Sequence, residues 1–289
     1  MEKALVLLQN TVFSFSMKMC GQRQDAEDAM QEVLLNSVPH LPKFNNPKAL
    51  LVWLYKVAKT RCLMSRRKSK FAPKEALSLE ELMPDRQELE RLPGKGEPTP
   101  ETLLMSTENR RRLRGAIQQL PPGYRLVLVL HDMEELSDED IAEITGLRPG
   151  AIRVRLHRAR LFVRKELAKQ DRQGAQGEAK KQAAVAQTHP RQGSCKQMFN
   201  ELSNYLDQEL DDSLCAEMEK HIEGCAPCKA FLASLEETIR TCKTVPNEQP
   251  DARMAANLRL EVLSKYQGLM AQLNKKSKKR ATADRVQAR

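Results

Sequence analysis

Residues 136–160, LSDEDIAEITGLRPGAIRVRLHRAR, leave the chain few ways to fold. Ser137 is placed to cap a helix, with Asp140 three residues on, near the capping-box position. Ile141, Ala142 and Ile144 supply that helix's apolar face, and Gly146 can take the left-handed conformation that ends it. Pro149 and Gly150 open a second helix. In it Ile152, Leu156, Ala159, Val163 and Leu167 fall on one stripe. Val154 and His157 point away from the stripe, and Arg153 and Arg158 flank them. Two short helices joined by a tight turn, the second with a basic outer face, suit entry into a DNA major groove. An ordinary basic hairpin of helices shares this pattern, so the rest of the chain has to decide.

The remaining sequence is mostly helical in character. Of its 289 residues 40% are hydrophobic and only 4% aromatic, which argues against long strands and for an all-α fold of several small parts. DAEDAMQEVLL (25–35) places Ala26, Ala29, Met30, Val33 and Leu34 at helical spacing, with acids in its first turn. Residues 2–37 therefore read as two helices. A third starts near Pro47 and carries Leu50, Trp53, Leu54, Val57 and Ala58 as its stripe, with Trp53 read as core rather than as a base-stacking residue. Prolines and glycines mark 73–107 as a linker with one short helix near Leu79–Leu82. Residues 170–193, rich in Gln, Ala, Gly and Lys, read as a flexible tether. The final stretch holds an amphipathic helix over about 251–273 and then the basic run KKSKKR. No run is long and apolar enough for a membrane helix, and the N-terminus lacks the grammar of a signal peptide.

The formal charge of +10 is unevenly spread. Residues 1–170 and 245–289 are basic, whereas 194–244 are acidic. A basic body points to a polyanionic partner.

Five of the seven cysteines fall within 195–242. HIEGCAPC is H-x3-C-x2-C, giving His221, Cys225 and Cys228. Cys195 lies upstream across the predicted helix MFNELSNYLDQEL. Three thiolates and an imidazole form a closed tetrahedral site of the structural zinc type, so one Zn2+ per chain is expected. Cys215 is the alternative to Cys195 as fourth ligand. Four protein ligands leave no position for a water, which argues against a zinc hydrolase. No phosphate-binding loop or H-E-x-x-H motif is present, and the chain is not expected to be an enzyme.

Three blocks together resemble a bacterial RNA polymerase sigma factor of the extracytoplasmic-function group over residues 1–170. They are DAEDAMQEVLL, WLYKVAKTRCLMSRRKSK and LPPGYRLVLVLHDMEELSDEDIAEITGLRPGAIRVRLHRAR. The resemblance implies that Asp25, Asp28, Gln31 and Glu32 dock core RNA polymerase. It implies that Lys59, Arg61, Arg66 and Arg67 meet the minus-ten element. It further implies that Arg153, Val154, His157 and Arg158 read the minus-thirty-five element. Met64 departs from the family, which often has an acid there. Residues 194–244 resemble the zinc-binding anti-sigma module, here fused behind the sigma unit.

The expected organisation is then a sigma domain over 1–72, the linker, a helix-turn-helix domain over 108–169, the tether, the zinc module over 194–244 and a C-terminal helix with basic tail over 245–289. The expected function is a cytoplasmic sigma factor that binds core RNA polymerase and promoter DNA, with its zinc module regulating it in cis. The rival reading is a stand-alone helix-turn-helix DNA-binding regulator with a structural zinc site. A tether of about 24 residues reaches roughly 25–30 Å, enough for the acidic module to fold back on the basic domains. Whether the module inhibits or activates is left open by the sequence.

Overall fold

The computed structural model describes residues 2–67, 76–84, 88, 107–175 and 193–287. All regular elements among them are helices. They form two compact units, residues 1–69 with 247–289, and residues 70–246.

In the first unit α1 (Glu2–Cys20), α2 (Arg23–Ser37) and α3 (Pro47–Arg67) pack together. Gly21, at φ 77°, makes the sharp turn between α1 and α2, a conformation that side chains with a Cβ resist. Val12, Phe13, Phe15, Met30, Val33, Leu34 and Leu54 fill the core. The buried face of α3 is Val52, Leu54, Tyr55, Ala58 and Cys62, rotated from the stripe expected at Leu50, Trp53, Leu54, Val57 and Ala58. Tyr55 turns inward because Phe15 offers its ring edge-on, 4.9 Å between centroids. Trp53 instead covers His40 and Phe44 in the preceding connection.

The chain's last helix, α12 (Ala252–Gln287), belongs to this unit and runs through the basic segment expected as a tail. Ala255, Leu258 and Val262 are its buried positions. Gln9 donates to Ala255 O at 2.9 Å and accepts from Arg259 at 3.0 Å. Just before the helix, Asn247 Oδ1 accepts from Ser14 and Lys18 at 2.8 and 2.9 Å, so two buried polar groups of α1 find their partner here.

The second unit starts with α4 (Leu79–Leu82), the short linker helix. There follow α5 (Thr107–Gln119), α6 (Pro122–Leu128), α7 (Asp138–Thr145) and α8 (Pro149–Ala175). The Arg125 guanidinium, fully buried, ties the α5–α6 corner by donating to Ile117 O and Leu120 O at 3.0 and 2.8 Å. α6 loosens into a wider turn over Val129–Met133, closed by Glu134 N donating to Val129 O, which carries His131 and Asp132 inward. Ser137 caps α7 by accepting from Asp140 N at 3.3 Å, and Gly146 ends it at φ 76°. α8 continues to Ala175, past the expected boundary at 169.

α9 (Gly193–Leu206), α10 (Asp212–Gly224) and α11 (Ala226–Lys243) complete the unit. Asp211 caps α10, accepting from Ser213 N and Leu214 N at 3.1 Å each. These helices supply most of one core, and that core is shared. Phe199, Leu202, Met218, Ile222, Phe231, Leu232, Leu235 and Ile239 pack in one cluster with Leu161 of α8 and Leu82 of α4.

Candidate nucleic-acid interface and metal centre

α8 has more than one buried face. Ile152, Leu156, Ala159 and Val163 pack into the helix-turn-helix core as the stripe required. Arg153, His157, Arg160, Leu161 and Arg164, at i, i+4, i+7, i+8 and i+11, form a second face. Every one of them meets α9, α11 or the turn after α9. Arg153 pairs with Asp138 at 3.3 Å and with Glu209. His157 Nδ1 lies 2.8 Å from Ser203 Oγ. Arg160 Nη1 donates to Asp207 at 2.6 Å. Leu161 enters the shared core. The Arg164 guanidinium stacks over the Phe231 ring, 4.1 Å from its centroid.

Arg160 is the electrostatic centre of this face. It is 1% exposed and holds two carboxylates, Asp132 at 2.6 Å and Asp207. Burial alone would raise the Asp132 carboxyl. The Arg160 charge and hydrogen bonds, helped by His131 at 2.8 Å, hold it below its usual value instead. Burial similarly works against the Arg160 charge, and the two carboxylates outweigh it and raise its pKa. Burial, with the Arg160 and Arg158 charges nearby, pushes the His157 imidazole down to about 4. It is therefore neutral near pH 7, and its Nε2 is buried with no hydrogen-bond partner.

The positions expected to read DNA are thus distributed as follows. Arg153 and His157 face α9 and the turn behind it. Arg158 donates to Leu77 O of the linker at 3.1 Å. Val154, between them, is 50% exposed. On α3, Lys59 is half-buried, and burial together with Lys56 lowers its pKa. Arg61 pairs with Glu32 of α2. The side chains of Arg66 and Arg67 lie outside the described residues. On α2, Asp28 and Gln31 are exposed, whereas Asp25 and Glu32 are partly covered.

His221, Cys225 and Cys228 come together at the α10–α11 junction, their ligand atoms all within 4.8 Å of one another. His221 Nε2 is 3.3 Å from Cys228 Sγ. A tetrahedral zinc site separates neighbouring N and S ligands by about 3.5 Å, so these three residues fit the ion. The helix break is the device that assembles them. α10 ends at Gly224, Cys225 sits in extended backbone, and Pro227 restarts the chain as α11. The Cys195 side chain lies outside the described residues. Cys215 Sγ donates weakly to Leu210 O at 3.9 Å. Cys242 is buried on α11, and burial with the nearby Asp132 charge pushes its thiol pKa up, the mark of an inert packing residue.

Comparison with known proteins agrees with this layout. The family model "Sigma-70 region 2" matches residues 6–71, "Sigma-70, region 4" matches 110–163, and "Putative zinc-finger" matches 195–229. The ECF RNA polymerase sigma factor SigE of Mycolicibacterium smegmatis is 30% identical over 166 residues, 57% of this chain and 60% of that protein. SigW of Bacillus subtilis is 28% identical over 164 residues, 56% of this chain and 85% of that one. The ECF sigma-E factor of Escherichia coli is 28% identical over 140 residues, 47% of this chain and 70% of its own length. The chain carries both sigma-70 regions and is similar to sigma factors of the extracytoplasmic-function type.

The region 4 match ends within α8, and the zinc-finger match begins at α9. Sequence reasoning missed Arg160, Leu161 and Arg164. The signal was there: Leu161 falls opposite the Ile152 stripe, where a helix with one solvated face carries polar residues. Asp132 and Asp207 were missed too, since nothing in their local sequence marks them as partners of one arginine 28 and 47 residues away.

Proposed function

We propose that this sigma factor brings core RNA polymerase to a promoter and opens it, and that its zinc segment restrains it in cis by occupying the promoter-reading face of α8. The polymerase supplies the chemistry; this chain contributes docking and recognition only. Asp25, Asp28, Gln31 and Glu32 dock the polymerase, Lys59, Arg61, Arg66 and Arg67 meet the minus-ten element, and Arg153, Val154, His157 and Arg158 read the minus-thirty-five element. One Zn2+, held by His221, Cys225, Cys228 and Cys195, keeps α10 and α11 clasped. A protein working on promoter DNA resides in the cytoplasm, and no helix among the described residues is long and apolar enough to cross a membrane.

The observation that carries the reading is the pairing of His157 with Ser203 and of Arg153 with Glu209. A side chain cannot serve α9 and a base edge at once, so promoter and zinc segment compete for one surface. The acidic character of 194–244 against the basic α8 gives the competition its sign.

Reconstituted transcription with core polymerase tests this. A full-length Asp207→Ala/Glu209→Lys double variant should transcribe from the cognate promoter roughly tenfold more than wild type. Equal or lower activity would remove inhibition from the reading and leave the zinc segment as a stabilising domain.

A further inference from the structure

The outer surface of α8 has two occupants, and the second is the linker itself. Arg158 Nη1 donates to Leu77 O at 3.1 Å, and Leu77 N donates to Tyr124 Oη at 3.3 Å, so both backbone groups of Leu77 are engaged by region 4. Two helical turns further along α8, Lys165 donates to Glu81 O. Leu82 is 5% exposed inside the core that α9, α10 and α11 build, and Leu77, Leu79 and Met83 pack against the same core.

We infer that residues 76–84 and the zinc segment act as one cooperative lock on α8, so that displacing either releases the other. This rests on the cis-restraint reading above.

The physical argument is one of shared walls. α4 is a four-residue helix, far below the length that holds its shape in water. Ordering this segment costs backbone entropy that two hydrogen bonds and an exposed lysine contact do not offset. Burial of its apolar side chains adds to these contacts, in one core that also holds Phe199, Met218 and Phe231. If α9–α11 leave, Leu82 loses most of the core it is buried in, and the strap keeps only Leu161 and its polar contacts with region 4. If the strap leaves, a leucine-sized hole opens in the core that holds Phe199 and Phe231, themselves in edge-to-face contact at 4.8 Å. The lock also divides its task. The zinc segment takes Arg153 and His157 and the linker takes Arg158, so a promoter needs both gone to meet the whole face. Release would free the linker, the segment joining the two promoter-reading regions, at the same moment as the recognition helix.

Hydrogen exchange on the full chain is the direct test. Leu82→Asp should raise exchange in 76–84 and in 198–206 together, with zinc content unchanged, and raise promoter-directed transcription roughly tenfold. Leu82→Met, which conserves volume, should match wild type. Removing zinc from the wild-type chain with a chelator probes the reverse direction and should expose 76–84, which carries no ligand. Exchange that rises in 76–84 alone under Leu82→Asp, or that leaves 76–84 protected after chelation, overturns the cooperative lock. The Asp207→Ala/Glu209→Lys variant separates the two proposals. If exchange in 76–84 and 198–206 is coupled but neither variant raises transcription, the lock stands as structure and the cis-restraint reading falls.

Discussion

Arg160 and Asp207 meet at 2.6 Å, joining a guanidinium buried in region 4 to a carboxylate that the zinc segment supplies. The pair is unequal. Arg160 is 1% exposed and keeps Asp132 as a second, fully buried partner, whereas Asp207 is 20% exposed. Removing Asp132 leaves a buried cation with one carboxylate and should destabilise the unit by about 3 kcal/mol or more. Removing Asp207 leaves the Arg160–Asp132 pair intact and should cost about 1–2 kcal/mol, borne mainly by the attachment of α9. Denaturant unfolding of Asp132→Asn and Asp207→Ala in the full chain gives both numbers. Equal losses would show that Asp207 is no mere addition to a self-sufficient pair.

Acid should loosen the same contact through His157. Its folded pKa, about 4, is below the value near 6.5 of a free imidazole, because burial and the Arg160 and Arg158 charges disfavour the cation. A depressed histidine pKa gives stability that is complete above pH 6.5 and declines as pH falls toward 4. Between pH 7 and pH 5 the loss from this group is about 2 kcal/mol. His157→Gln should remove that part of the pH dependence. Denaturant midpoints at pH 7 and pH 5 for both proteins measure it, and parallel slopes would mean His157 does not titrate as its burial requires.

The helix-turn-helix was legible because each of its signals is local. The Ser137 cap, the Gly146 turn, the Pro149 start and the Ile152 stripe all stand within a few residues of what they control. The metal cluster was legible for the same reason, since His221, Cys225 and Cys228 share one helix end. The second face of α8 was not. His157 read as a DNA-facing residue because its own helix leaves it outside the Ile152 stripe, and Ser203, 46 residues away, covers it. The α3 register slipped for a like reason: Tyr55 is buried by Phe15, 40 residues earlier in the chain. Short-range pattern fixes which faces exist, and long-range partners fix which of them are covered.

Metal removal should act well beyond the cluster. Cys228 is 2% exposed and sits in the same core as Phe231 and Leu161. Without the ion the α10–α11 break loses its clasp, and the core above α8 loosens with it. Metal analysis should find one zinc per chain in the wild type and little in Cys228→Ser. In Cys195→Ser, loss of the metal supports Cys195 as fourth ligand, while full occupancy would assign that place to Cys215.

Arg153 should show a net effect that differs between restrained and released protein. In the full chain its guanidinium pairs with Asp138 and Glu209, and at 40% exposure those pairs contribute about 1 kcal/mol or less. Under the proposed restraint, Arg153→Ala should weaken the restraint slightly and also remove the proposed base or phosphate contact. In the Asp207→Ala/Glu209→Lys background only the second effect remains. There the substitution should weaken binding of the polymerase complex to the cognate promoter by about 1–3 kcal/mol if the contact is bidentate to a base, and relax preference at one position. A phosphate contact would instead weaken all sequences alike and lower the salt slope by about one. Promoter binding across a salt series, with cognate and single-base-changed sites, separates the two. If Arg153→Ala changes neither affinity nor slope in the released background, Arg153 does not touch the promoter, and its place on α8 serves the zinc segment alone.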